Sequence, residues 1–229
     1  MKRLVVFFLS FLLTKAERQD LSGKIFTFPE ASNTDYVALS PEEEKNFTAV
    51  TVCLRAFSDI SRAQSLFSLS LPSIANGFLI FKAKRGAYQL NILGKVVDFH
   101  GLQDEFNVRN SVCVTWDSET GLMQMWVNRN PSSRKGLKAG SALTGPPKII
   151  LGQEQDNYGG GFDTEQSFVG MLTDVHMWDF VLSPDQIAYY SYGSQVQPGN
   201  VLNWNSLEFN KNGYVIIESK DTSHKAGSF

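Results

Sequence analysis

With 229 residues, 21 Lys plus Arg against 23 Asp plus Glu and a net charge of −2, the chain has room for one large β domain or two small ones. The near-balance of charge leaves no footprint for nucleic acid: cations cluster only at Arg129, Arg134, Lys135 and Lys138, around one expected turn, where a solvated loop is the ordinary meaning. The opening MKRLVVFFLSFLLTKA sets Lys2 and Arg3 before an apolar run from Leu4 to Leu13, with Thr14 and Ala16 placed for cleavage. As a helix that run would reach about 15 Å, half of a bilayer's roughly 30 Å of hydrocarbon. It reads as a removed signal peptide over residues 1–16, and no later stretch is apolar enough to form a transmembrane segment. The expected product is therefore secreted and extracellular.

An oxidising compartment favours pairing of the two cysteines, Cys53 in VTVCLRAF and Cys113 in SVCVTWDS, both strand-like runs. The bridge would close a loop of about sixty residues, worth roughly 4 kcal/mol in the chain-entropy model. Asn46, Phe47 and Thr48 form a sequon, so Asn46 is a candidate glycosylation site.

Beyond the leader the hydrophobic rhythm is that of short strands. They are expected at 24–28, 35–39, 47–57, 65–71, 78–81, 87–92 and 95–99, then at 111–116, 122–127, 148–151, 167–178, 201–204 and 213–218. Within the third, Val50, Val52 and Leu54 share one face, as a half-buried strand requires. Turn signals such as Asn76–Gly77 and Glu119–Thr120–Gly121 separate the strands, and many short strands of this kind build an all-β sandwich. One segment differs. Ser183, Pro184 and Gln186 form a capping-box start and Gly193 an end, which predicts a short helix with Ile187 and Tyr190 on its packed face.

The stretch LGQEQDNYGGGFDTEQSFVG, residues 151–170, carries the chemistry. Glu154, Asp156, Asp163 and Glu165 stand among Gln153, Gln155, Asn157 and Gln166, with Gly159, Gly160 and Gly161 between. Three glycines let the backbone double back so that separated carboxylates converge. Converging carboxylates repel unless a cation joins them, and oxygen donors without nearby His or Cys favour calcium. On composition alone the loop reads first as a solvated acidic turn. It is not the helix-loop-helix calcium motif, since Tyr158 occupies a ligand position and strand-like runs flank it.

Together with VHMWDFVLSPDQI, this loop resembles the calcium-loop region of the short pentraxins. Cys113, Thr115, Trp116, Asp117 and Ser118 match the same family's signature, with Ser111 where that pattern has histidine. The resemblance spans nearly the whole mature chain, a pentraxin domain at residues 17–218 followed by a polar tail at 219–229. It implies a flattened two-sheet jelly roll of the legume-lectin and pentraxin kind, a homo-oligomer of five protomers, and two adjacent calcium ions on one face of each. Carried over by motif, Glu154, the backbone carbonyl of Gln155 and Asp156 hold the first ion. Glu154 and Asp156 bridge to the second, which also takes Gln166 and Asp163, whereas Glu165 is no ligand. The implied ligands are phosphocholine, polysaccharide or phospholipid on microbial or damaged-cell surfaces. Complement and phagocyte receptors would meet the opposite face, in a role belonging to innate immunity.

Two departures matter. An aspartate–asparagine pair completes the first ion's shell in the family, and here the matching residues are Ala75 and Asn76. A lost anionic ligand weakens calcium binding, so one firm site and one impaired site are expected. In the ligand pocket, Leu79 and Phe81 match the apolar floor and Asn91 stands where one branch of the family has tyrosine. Val96 falls near the residue that faces choline. With no anion there, choline selectivity is not expected. Leu79 and Phe81 would also suit plain core.

Two other readings compete with a calcium-dependent lectin. One is a ring whose calcium function has decayed. The other is a sandwich-fold glycoside hydrolase built on Glu154 and Asp156, for which the second catalytic carboxyl is missing because glycines fill the neighbouring positions. His100, His176 and His224 lie in no triad motif, so no enzyme is expected.

Overall fold

The computed structural model describes residues 17–220 except 44 and 195. The expected leader at 1–16 and most of the expected tail lie outside the described residues. Among those described, the chain opens with β1 (Lys24–Phe28), β2 (Tyr36–Ser40), β3 (Ala49–Phe57), β4 (Gln64–Leu71) and β5 (Ile74–Lys84). Next come β6 (Ala87–Ile92), β7 (Lys95–His100), β8 (Asn110–Asp117), β9 (Leu122–Val127) and the two-residue β10 (Asn130–Pro131) and β11 (Lys135–Gly136). β12 (Lys148–Leu151), β13 (Gly170–Trp178), helix α1 (Pro184–Tyr192), β14 (Glu208–Asn212) and β15 (Ile216–Ser219) complete it.

The strands form two antiparallel sheets. One runs β10-β9-β8-β3-β13-β1-β15, with β11 also on β9; the other runs β14-β2-β12-β4-β5-β6-β7. Their inner faces meet over Phe26, Val50, Val52, Leu54, Phe67, Leu69, Phe78, Ile80, Val112, Val114 and Trp116, all buried. Burying each such side chain contributes about 1.5–3 kcal/mol.

The outer face of the first sheet is covered as well, which corrects the expectation of a half-buried β3. Cys53 and Cys113, register partners on β3 and β8, are disulfide-bonded. They pack with Trp126, Trp178 and Leu182 under Ile187 and Tyr190 of α1. The helix begins as expected: the Ser183 side chain accepts from the Gln186 backbone N–H, and the Gln186 side chain accepts from the Ser183 N–H at 2.8 Å. Gly193 closes it in the left-handed region, at φ 75°.

Other expectations shift. Asn76 and Gly77 are no turn; they lie inside β5, where a register irregularity against β4 turns Gly77 toward core Leu71. The run 201–204 is not a strand. Only Leu202 bridges to Met177, and Asn203 caps a 3-10 turn at Trp204–Ser206. Ser219 is register partner to Lys24, and the Lys220 ammonium pairs with Asp174 at 2.7 Å, so both belong to the domain and not to a loose tail.

Candidate metal centre and ligand face

The acidic loop leaves the end of β12 and is closed at its base by aromatic packing. Phe168 N–H donates to the Gly152 carbonyl at 2.8 Å, and Phe168 packs edge-on to Phe28, ring centroids 5.7 Å apart. Gly152 is required there: its φ is 89°, and a Cβ would meet the Phe28 ring at 2.5 Å.

Inside the loop, two glutamines that composition suggested only as polar neighbours act as buried rivets. Gln153 donates through Nε2 to the carbonyls of Ser32 and Asp35, at 2.6 and 3.0 Å. Gln155 donates to the carbonyls of Ser68 (3.1 Å) and Lys148 (2.9 Å) and accepts from the Gly159 N–H at 3.0 Å. Ser68 alternates along β4 with core Phe67 and Leu69, so it faces outward and the loop lies on the outer face of the second sheet. Helix α1 covers the outer face of the other sheet. The two features thus occupy opposite sides of the sandwich.

The glycine run makes a hairpin, Asn157 and Gly160 exchanging backbone hydrogen bonds at 3.0 and 3.1 Å. Beyond it, Asp163 caps a 3-10 turn at Thr164–Gln166, its carboxylate accepting from the Glu165 N–H at 3.0 Å. Ser167 caps this turn where a strand was expected to start, and β13 begins only at Gly170. Arg62, which the sequence reading did not single out, pins the turn by donating to the carbonyls of Glu165 (3.1 Å) and Ser167 (2.7 Å). An arginine in an unremarkable loop gives no signal of its partners until the fold joins them.

Glu154 is the buried carboxylate of the set, 8% exposed, while Asp156 and Asp163 are exposed. It accepts from Asn76 Nδ2 at 3.0 Å, so the structure joins the loop to β5 across 78 residues of sequence. Burial pushes the Glu154 carboxyl above its ordinary range; the Asn76 hydrogen bond opposes this, and the charges of Asp156 and Asp163 add to the rise. Two buried amide oxygens, Asn76 Oδ1 and Gln166 Oε1, find no hydrogen-bond partner among the described residues. A carboxyl whose ionised form burial makes costly, with orphaned oxygens on residues from both segments, is a donor set that suits a hard cation. Among the described residues no three His, Cys, Asp or Glu side chains cluster for a metal, so an ion here would depend on amide and backbone oxygens too.

The expected pocket residues sit on the same outer face. Leu79 is register partner to Asn91, and Asn91 to Val96, placing all three in one row across β5, β6 and β7. Leu79, Phe81 and Asn91 are buried, Val96 is 53% exposed, and Leu79 and Phe81 lie outside the inter-sheet core that takes Phe78 and Ile80. Asn91 Oδ1 has no partner among the described residues. Asn46 is exposed, its Oδ1 accepting from the Gly145 N–H at 3.2 Å.

Comparison with known proteins agrees with this architecture. The sequence profile of the Pentaxin family matches residues 24–219. Serum amyloid P-component of Rattus norvegicus is 46% identical over 216 residues, covering 94% of each chain. The Homo sapiens protein of that name is 43% identical over 210 residues, 92% of this chain and 93% of its own. In structure, the heptameric SAP-like pentraxin of Limulus polyphemus superposes with a TM-score of 0.79 at 22% identity, over 87% of this chain and 96% of that one, which is a likeness of fold. By the profile match and these relatives, the chain belongs to the pentaxin, or pentraxin, family.

Proposed function

We propose that this chain is a secreted, calcium-dependent recognition lectin that binds arrayed phosphate- or carboxylate-bearing ligands through a homo-oligomeric ring. Family membership makes it a recognition protein rather than an enzyme. The observation that carries the calcium reading is buried Glu154 against Asn76, with orphaned oxygens on Asn76 and Gln166. In this reading Asn76, Glu154, Asp156 and the Gln155 carbonyl hold one ion. Glu154, Asp156, Asp163 and Gln166 hold the other. Calcium would neutralise the carboxylates and offer open positions to a ligand's phosphate or carboxylate, such as that of phosphocholine, a phospholipid head group or an acidic polysaccharide.

Leu79, Phe81 and Asn91 would receive the body of the ligand beside the ions. Val96 opposite Asn91 offers no anion to a quaternary ammonium, so affinity resides in the anionic end. Each site alone would be weak, and several on one rigid face would multiply binding to arrayed targets on microbial or damaged-cell surfaces. Complement and phagocyte receptors are the partners this reading implies for the helix-bearing side. The disulfide and the expected leader support secretion, and no helix among the described residues is long and apolar enough to cross a membrane.

Binding of phosphorylethanolamine tests this reading, presented at high density on beads and, separately, as free monomer. Calcium-dependent capture on beads with far weaker binding of the monomer is expected. Equal affinity for the two forms would remove the multivalent argument, and capture that persists in chelator would remove calcium.

A second reading, a ring with decayed calcium function, draws on Ala75 and on the lack of a three-acid cluster among the described residues. Limited proteolysis separates the two: protection of the loop at 151–170 by millimolar calcium is expected here, and no protection would favour decay.

A further inference from the structure

Beside the acidic loop, on the same outer face, lies a groove of about 480 Å3 that neither the proposed ions nor the expected pocket uses. Its lining sets small side chains of β2 beside larger ones: Ala38 is register partner to Ile150 across β2 and β12, and Ser40 to Glu208 across β2 and β14. Tyr36 stands at one wall, braced by the Phe162 ring at 4.8 Å between centroids. Lys148 stands at another. A half-polar groove with an aromatic side chain in its wall suits the face of a sugar ring better than a compact apolar ligand.

The lysine is held in place without being neutralised. Its ammonium lies over the Tyr158 ring, 4.5 Å from the centroid, and the Tyr158 hydroxyl donates to the Pro146 carbonyl at 2.8 Å. Gly159 keeps the space open, because a Cβ there would come within 2.6 Å of Lys148 Cδ and 2.7 Å of its Nζ. Among the described residues Lys148 and Glu208 form no ion pair with any partner. The groove thus offers one fixed cation to an acid and one carboxylate to hydroxyl donors. It is stitched to the loop through Gln155, which bonds both the Lys148 carbonyl and the Gly159 N–H.

We propose that this groove is a second saccharide subsite, which takes the next acidic sugar of a polysaccharide whose end is held at the loop. Lys148 receives the carboxylate of that sugar, Glu208 and Ser40 its hydroxyls, and Tyr36 packs on its ring. The proposal rests on the calcium reading only for the end of the chain held at the loop.

The test titrates calcium-loaded protein with galacturonate, with trigalacturonate and with the methyl ester of the trimer. The trimer is expected to bind more tightly than the monomer by roughly five- to ten-fold, about what one partly exposed ion pair and its hydrogen bonds contribute. That gain should vanish on methyl esterification and in Lys148→Gln, survive in Lys148→Arg, and shrink in Glu208→Gln. Lys148→Gln should leave calcium uptake and monomer affinity unchanged, because the backbone carbonyl of Lys148, not its side chain, holds Gln155. A trimer no tighter than the monomer, or a gain that persists in Lys148→Gln, would overturn the subsite. Trimer binding that depends on Lys148 and continues in chelator would instead retain the subsite and remove the calcium reading.

Discussion

Burial raises the Glu154 carboxyl, so without a cation its ionised form opposes the fold. A raised folded-state value means that the contribution of this group to stability is present at low pH and is lost as pH rises through that value. In chelator, Glu154→Gln is therefore expected to match or exceed the wild type in urea midpoint near pH 7, with the difference closing below about pH 4. In calcium the order reverses, and the variant's calcium affinity falls by more than the roughly ten- to a hundred-fold that loss of an outer-shell partner costs, because Glu154 is a direct ligand in this reading. Glu154→Gln destabilised in chelator at neutral pH would show that the carboxylate is structural and not reserved for an ion.

His176 tests the opposite sign. Burial lowers its imidazole to about 4, and its Nδ1 accepts from the backbone N–H groups of Gly199 and Trp204, at 3.3 and 3.4 Å. The unfolded chain takes up this proton near the ordinary histidine value and the folded one does not. Stability is thus complete above about pH 6.5 and falls as pH drops toward 4, by about 3 kcal/mol in all. His176→Asn, whose side-chain oxygen can accept in place of Nδ1, should flatten this part of the pH profile of urea unfolding. An unchanged slope would assign the acid sensitivity to other groups.

At the scale of elements, the strands β1, β6, β9 and β12 are legible to the residue, because alternation and turn residues mark both ends. So is the capping box of α1. Strand β14, EFNKN, is not: it is a polar edge strand with only Phe209 buried, too short an apolar signal to stand out. The register irregularity at Asn76–Gly77 looks like a turn because it uses turn residues, and only the pairing with β4 shows that the strand continues. The motif names Glu154, Asp156, Asp163 and Gln166 as candidate donors, whereas the rivets Gln153, Gln155 and Arg62 depend on partners at Ser32, Ser68 and Ser167, whose proximity only the fold sets. The hairpin of the loop gives a prediction at this scale. Gly161 has φ 77°, and a Cβ there would stand 2.9 Å from Asp156 Cβ. Gly161→Ala should cost about 1–2 kcal/mol through its left-handed backbone and, by displacing Asp156, weaken calcium uptake well beyond that. Calcium titration giving wild-type affinity would show that Asp156 is no ligand.

For the whole molecule, the disulfide-braced sandwich sets the helix and the acidic loop on opposite outer faces. One sheet carries the helix on its outer face; the other carries the loop, the Leu79–Asn91–Val96 row and the groove at Lys148. Under the proposed function, ligand and effector could then bind at once, and a ring of such protomers would present every loop on one side. The family's fold tolerates variation within this plan, since the Limulus relative keeps it at 22% identity and is heptameric. In the proposed ion shell the departure is Ala75, which stands beside Asn76 on β5.

Calorimetric titration of calcium into the wild type and Ala75→Asp therefore bears most directly on the account. The wild type should take up two ions per chain with unequal affinity, and Ala75→Asp should tighten the weaker one and leave the other unchanged. Two equally tight ions in the wild type would contradict the assigned weakness, and the absence of calcium uptake by either protein would contradict the account as a whole.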